Sequence, residues 1–305
     1  MSEADAAVLA GEGRIVRADS GFYDVAVAGR VVRARPRGRL RHAAGDLLTG
    51  DRVEVAVAGD GTAVIERVLP RRNRLVRPAA ANVDQVVIVF TLTAPAWNRA
   101  LTDRIAVLAE AGGIDIVFCI NKMDLTDPAA AVAAAEVYRR AGYPVALVAA
   151  KTGRGVETLL ERLRDRVTVL AGESGVGKST LLNALQPGLK LATGEISRRL
   201  RRGRHTTRRA ELLPLTRDGR VIGYVIDTPG FSRVDVTTID RYALAACFPE
   251  FRDPARHCRF DDCLHRAEPG CGVKAAVDRG EIDPVRYENY LTLLAEIEHH
   301  EANRY

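Results

Sequence analysis

Lysine is nearly missing from this chain of 305 residues: of its 45 basic side chains only Lys122, Lys151, Lys178, Lys190 and Lys274 are lysine, and arginine supplies the rest. Aromatics are few as well, at 5%, yet 47% apolar and 28% charged residues describe an ordinary globular protein and exclude disorder throughout. No run approaches the roughly 18 apolar residues of a membrane helix, so no membrane contact is expected. Met1 to Gly13 is acidic and lacks the basic start and apolar centre of a secretory leader, which leads us to expect a cytoplasmic protein. Five cysteines are an odd number, and in a reducing compartment they argue against a disulfide framework. Core thiols, reactive thiols or a metal site remain.

The 45 basic and 39 acidic residues leave a net charge of +6, which hides a strong asymmetry. Residues 1–80 hold fourteen arginines against ten acids, with Arg30, Arg33, Arg35, Arg37, Arg39 and Arg41 unopposed between Asp24 and Asp46. Residues 190–210 hold eight basic side chains against Glu195 alone. A charge run is often only a solvated face. Guanidinium groups also stack on bases and pair with phosphates, so both clusters are candidate RNA surfaces.

Up to Val68 the pattern is of short alternating runs: Arg14 to Ala18, Phe22 to Val27, Val31 to Arg35, Val53 to Val57 and Ala63 to Val68. Val53, Val55 and Val57 share one face with Glu54 on the other, the period of a half-buried strand. Five such strands suggest a small β-barrel, an OB-fold first, with another barrel or a sandwich as alternatives. After the arginine-rich link Pro70 to Pro78 the pattern becomes continuous apolar strands (Gln85 to Phe90, Ile114 to Ile120, Pro144 to Val148, Val167 to Ala171) alternating with helical stretches. That alternation predicts an α/β domain with a parallel sheet covered on both faces. It continues through a helix from Lys178 to Leu185 and strands Ala210 to Leu215 and Val221 to Ile226, then stops near Asp235. A cysteine-rich stretch follows, then a helix after Asp283-Pro284 whose Tyr287, Tyr290, Leu291, Leu294 and Ile297 form a packing stripe.

Gly172-Glu173-Ser174-Gly175-Val176-Gly177-Lys178-Ser179 fits the phosphate-loop pattern G-x-x-x-x-G-K-[ST] in its required place, after an apolar strand and before a helix. Its glycines let backbone amides and the helix N-terminus wrap a phosphate; Lys178 would reach the terminal phosphates, Ser179 would bind magnesium, and Thr180 continues the cradle. ATP and GTP share this loop, so the base must be read elsewhere. Asn121-Lys122-Met123-Asp124 stands at the end of a strand, and its carboxylate can accept two N–H bonds that guanine offers and adenine does not. Ala149-Ala150-Lys151, at the end of the next strand, suits a loop whose backbone amide meets the guanine oxygen. Asp227-Thr228-Pro229-Gly230 offers a carboxylate for the magnesium shell and a glycine amide that senses the terminal phosphate. Between these motifs, Thr207, slightly ahead of Thr206, could complete the magnesium shell, with His205 beside them.

Cys258-x4-Cys263-x-His265-x5-Cys271 places three thiols and an imidazole within fourteen residues, the donors of a closed tetrahedral zinc site. Cys247 and His257 are rival ligands, and Cys119 in its apolar strand reads as core.

The guanine-reading motif precedes the phosphate loop by about fifty residues, the reverse of the usual order. A circular permutation keeps the same sheet. In this the chain resembles the circularly permuted bacterial GTPases of ribosome assembly, the ribosome small subunit-dependent GTPase A (RsgA/YjeQ) family, over nearly its whole length. The one departure is Ala149, where the family often has serine. The resemblance implies an OB-like barrel (1–75), a permuted GTPase domain (76–235) and a zinc-binding helical module (236–305). It also implies Zn2+ and Mg2+ as metals, GTP and GDP as ligands, and the small ribosomal subunit with its rRNA as partner of a monomeric enzyme acting in late maturation. Phe231 occupies the position where Ras-like enzymes carry a water-orienting glutamine. Slow intrinsic hydrolysis is therefore expected, with the missing group supplied by His205 or by the partner. Two alternatives are a GTPase switch on another RNA or translation complex, and a GTP-sensing adaptor without hydrolysis.

Overall fold

The structure, a computed structural model, describes residues 9–19, 21–38, 40, 47–57, 62–75, 79–188, 210–227 and 235–303. Along the chain the strands are β1 (Leu9–Asp19), β2 (Phe22–Val27), β3 (Arg30–Pro36), β4 (Arg52–Val57), β5 (Ala63–Val68), β6 (Arg74–Leu75), β7 (Ala80–Ala81), β8 (Gln85–Phe90), β9 (Asp115–Ile120), β10 (Val145–Leu147), β11 (Val167–Ala171), β12 (Glu211–Arg217) and β13 (Arg220–Asp227). The helices are α1 (Arg99–Ala111), α2 (Pro128–Arg140), α3 (Val156–Arg162), α4 (Lys178–Leu185), α5 (Arg252–Ala255), α6 (Gly272–Asp278) and α7 (Pro284–Ala302). These elements divide between two compact units.

In the first unit β1 to β5 pair in the order β1-β2-β3-β5-β4, and β4 returns to β1. The ring is closed, as the OB expectation requires, and a sandwich is ruled out. Alternation builds the interior: Tyr23 and Val25 from β2, Val53 and Val55 from β4, and Ile65 from β5 meet Ile15 and Ala34, while the intervening side chains face outward. The arginine-rich link does not hang free. Asp51, fully buried, accepts two bonds from Arg71 (2.6 and 2.8 Å), and Asn82 donates to the Gly50 carbonyl.

β12 and β13 belong to the same unit, and here the expected parallel sheet is only partly realised. β13 runs parallel to β11, but β12 is antiparallel to β13 and to β1. Only Asp218 and Gly219 join β12 to β13, both with positive φ, and a two-residue turn of that hand permits nothing but a hairpin.

The second unit holds β8, β9 and β10 in that order, with β9 and β10 parallel. Every residue of β8 is buried, as its unbroken apolar run predicts. Caps fix where the helices begin: Asn98 accepts from Leu101 N–H, Asp127 from Ala130 N–H, and Asp283 from Arg286 N–H, with proline next in the last two. The stripe on α7 is buried as expected, with Tyr290, Leu294 and Ile297 packed with Leu244, Phe248, Phe251 and Val107. The short helix α3 was not anticipated; its seven residues are too few to display a period.

Candidate nucleotide site and metal centre

β11 ends at Ala171 and α4 begins at Lys178, so the phosphate-loop motif forms the turn between them. Its glycines are required by shape. At Gly172 (φ 136°) a Cβ would lie 2.1 Å from the Val89 carbonyl oxygen, and at Gly177 (φ 93°) 2.5 Å from Asn121 Nδ2. The first turn of α4 leaves its amides without helical acceptors, the arrangement that receives an anion. Lys178 folds back over the loop, its Nζ donating to the Gly172 (2.8 Å) and Glu173 (2.7 Å) carbonyls. Burial lowers its pKa to about 8, partly opposed by Glu173.

Asn121 is 2% exposed and braces three loops at once. Its Nδ2 donates to the Val176 carbonyl in the phosphate loop (2.9 Å), and its Oδ1 accepts from Ala150 N–H in the loop after β10 (3.1 Å). The side chain is thus a strut rather than a free base-reading group. Lys122 (φ 62°) extends across the phosphate loop, with Nζ bonded to the Gly175 carbonyl (2.8 Å) and to that of Ala94. Met123 N–H is held by the Val148 carbonyl, which leaves Asp124 and Lys151 exposed beyond the strut.

One element of the site escaped the sequence reading. Thr91 to Trp97 leaves the end of β8 and lies against the phosphate loop: Ala94 supplies the Lys122 acceptor, and a Cβ on Gly175 would be 3.5 Å from Pro95. Thr91 Oγ1 donates to the Pro95 carbonyl, and Trp97 stacks on Phe90 with ring centroids 4.7 Å apart. Its place at the carboxyl end of a buried strand was the available signal.

The Cys/His set comes together as expected. The donor atoms of Cys258, Cys263, His265 and Cys271 lie within 4.8 Å of one another. Cys258 and Cys271 sulfurs are 3.9 Å apart, and each stands 3.5 Å from His265 Nδ1. Tetrahedral zinc, with Zn–S about 2.3 Å and Zn–N about 2.0 Å, has edges of about 3.8 and 3.5 Å, so Cys258, Cys271 and His265 match that ion, with the Cys263 sulfur within 4.8 Å of them. Backbone N–H groups of Gly272 and Lys274 point at the Cys258 and Cys271 sulfurs, and the Glu268 carboxylate accepts three amides that shape the turn. Gly272 cannot be replaced without strain, since a Cβ would lie 2.1 Å from the Pro254 carbonyl oxygen. The rivals fall away: Cys247 is in the apolar core with burial raising its pKa to about 11, and His257 is exposed outside the cluster. Cys119 is fully buried in β9.

The second unit also holds a buried ionic knot. Arg286, in α7, donates to Asp103 (2.6 Å) and to both Glu250 oxygens; Asp103 also accepts from Tyr138 (3.0 Å) and Asn289 (2.6 Å). Burial works against the guanidinium charge, and Asp103 and Glu250 more than reverse the effect, raising its pKa.

His205, Thr206, Thr207, Gly230, Phe231 and the basic stretch from Lys190 to Arg209 lie outside the described residues, as do Arg39 and Arg41. Asp227 is described only as the last backbone position of β13. Among the described residues no helix is long and apolar enough to cross a membrane.

Comparison with known proteins agrees with this arrangement. The family model described as RsgA GTPase matches residues 68–237, and that of the RsgA N-terminal domain matches residues 12–65. Among curated relatives, the small ribosomal subunit biogenesis GTPase RsgA of Moorella thermoacetica is 49% identical over 94% of this chain and 97% of its own. That of Caldanaerobacter subterraneus subsp. tengcongensis is 45% identical over 96% and 98%. Among solved structures, YjeQ from Thermotoga maritima (40% identity, 95% and 99% coverage) and YloQ, described as a circularly permuted GTPase (36%, 98% and 99%), both superpose with a TM-score of 0.82.

Proposed function

The chain belongs to the RsgA GTPase family, and from that premise we propose that it hydrolyses GTP to GDP and phosphate on the small ribosomal subunit late in the subunit's maturation, with hydrolysis promoting release. The observation that carries this reading is the Asn121 strut, which joins the guanine loop, the Ala150 loop and the phosphate loop into one cradle. Asp124, exposed beside the strut, accepts guanine's ring and exocyclic N–H groups, and the Ala150–Lys151 turn offers an amide to the guanine oxygen. The loop Gly172 to Gly177 and the first turn of α4, with Ser179 and Thr180, wrap the phosphates; Lys178 exchanges its carbonyl partners for phosphate oxygens.

Magnesium, when bound with GTP, neutralises charge on the terminal phosphates. Ser179 and Thr207 would hold it, with the Asp227 carboxylate supporting its shell. Gly230 senses the terminal phosphate. Phe231 cannot orient a water, so His205 or the ribosomal partner supplies that function. Zinc on Cys258, Cys263, His265 and Cys271 is structural, because four protein donors leave no position for a catalytic water. The barrel (to about residue 75), the permuted GTPase domain (to about 235) and the zinc module act together in the cytoplasm as one monomer on the subunit, the arginine clusters meeting rRNA.

The test is phosphate release with and without purified small subunits. Stimulation of tenfold or more supports the assignment; unchanged turnover together with GTP-dependent subunit binding would favour the adaptor reading, for which Phe231 speaks. Stimulation by a different RNA complex and not by small subunits would move the assignment to that complex.

A further inference from the structure

The first unit carries a second concave site, lined by no residue of the nucleotide motifs, with a volume of about 630 Å³. This lies inside the roughly 300–1,000 Å³ range of ligand-binding clefts. Two hairpins form its lips, and they repeat one construction. Ala28-Gly29 and Asp218-Gly219 are two-residue turns with positive φ at both positions, closed by the pairs Val27↔Arg30 and Arg217↔Arg220. After each turn comes an arginine and then an exposed valine: Arg30-Val31 and Arg220-Val221, the valines 64% and 49% exposed.

Arg14 lines the interior, and its Nη1 is buried with no hydrogen-bond partner. The nearby Asp84 carboxylate attracts the guanidinium without bonding that atom; it is committed to Arg72 and the Val167 amide. A buried, unbonded donor on a cation is costly unless an anion completes it. The remaining lining is aliphatic, with Val16, Leu212, Pro214 and Ile222 prominent, and Tyr224 is its only aromatic ring. Its charges are Arg14, Arg30, Arg166 and Arg220 against Asp165 alone.

We propose that this cleft binds an extended acidic and aliphatic peptide segment of a partner protein. Carboxylates meet Arg14, Arg30 and Arg220, and aliphatic side chains cover Val31 and Val221. Charge complementarity demands an anion, and the composition of the walls selects its kind. Single-stranded nucleic acid is gripped by rows of aromatic platforms, and these walls are aliphatic instead. Alternating charge and aliphatic surface matches an extended chain whose side chains alternate between carboxylate and apolar. The inference is independent of the nucleotide site.

The experiment uses the full chain and a fluorescein-labelled eight-residue peptide alternating glutamate with valine, read by polarisation. A lysine-valine peptide is the charge control, and an eight-nucleotide oligouridylate is the nucleic-acid arm. The acidic peptide should bind and the lysine peptide should not. The paired substitution Arg30→Glu and Arg220→Glu should weaken binding at least tenfold, as should Val31→Asp, and Arg14→Met should do the same. The lip residues are exposed, so their variants keep the test decisive if Arg14→Met fails to fold. GTP turnover measured without small subunits should be unchanged in Val31→Asp. Absence of peptide binding overturns the proposal, and so does binding that these substitutions leave intact. Displacement of the peptide by tighter-binding oligouridylate overturns it too, and would make the cleft a nucleic-acid groove.

Discussion

Replacing Asn121 by alanine tests the cradle directly. The side chain makes two bonds, to the Val176 carbonyl at 2.9 Å and from the Ala150 amide at 3.1 Å, and both partners are buried, 2% and 7% exposed. Alanine leaves one acceptor and one donor unpaired. Each buried orphan costs about 1–3 kcal/mol, so the cradle loses about 2–6 kcal/mol, with water entering the vacated space holding the figure near the lower end. In the free protein the three loops relax to recover part of this, and nucleotide binding must then rebuild them. The loss therefore appears as affinity: about 2 kcal/mol corresponds to roughly thirtyfold weaker GDP binding. Asn121→Asp keeps the acceptor for Ala150 but turns an oxygen toward the Val176 carbonyl, so it should bind at least as poorly. Titration with a fluorescent GDP analogue measures the effect, with thermal unfolding as the control for the fold. An Asn121→Ala protein that binds GDP within threefold of the parent would refute the strut.

Three further outcomes follow from the same geometry. Lys178 has its pKa lowered to about 8 by burial, so between that value and 10.5 the unfolded chain holds more protons, and this group adds stability as pH rises through that window. Nucleotide binding needs the ammonium, so GDP affinity should fall above about pH 8 and binding there should take up a proton; calorimetry in two buffers of different ionisation enthalpy would detect it, and no uptake would contradict the Lys178 role. Arg286→Met strands Asp103 and Glu250 in the core, which should cost about 3–5 kcal/mol in urea unfolding. Trp97, 5.9 Å from Tyr138 by ring centroids, is a natural fluorescence reporter for that measurement, and a loss below about 1 kcal/mol would show the knot to be dispensable. Cys263→Ser should reduce bound zinc from one per chain and lower the unfolding temperature of the second unit, as metal analysis and calorimetry would record; full zinc content would reopen the ligand set.

Much of this was legible in sequence because its signals are local. Four of the five barrel strands lie within a residue or so of where their alternation puts them, while β1 begins at Leu9, five residues before the run that starts at Arg14. The phosphate loop declares itself through glycines whose φ values no other residue adopts cheaply, at Gly172 and Gly177. The direction of β12 was less accessible: the run before Asp218-Gly219 reads equally well as a strand of either sense, and only the turn geometry makes it a hairpin.

The chain order of the motifs, the permutation and the donor types of the candidate metal centre are properties of the sequence alone, since each rests on residues within a dozen or so positions and on their succession. Tertiary structure decided the rest. It chose Cys258, Cys263, His265 and Cys271 over Cys247 and His257 by bringing only the former together. It made Asn121 a strut across 55 residues of sequence and joined Asp103 to Arg286 across 183. It also set two Arg-Val hairpin lips around a cleft that holds the buried Nη1 of Arg14. The physical reason is common to all three: a buried polar group must find its partner wherever the fold puts one, and no periodicity along the chain records that distance.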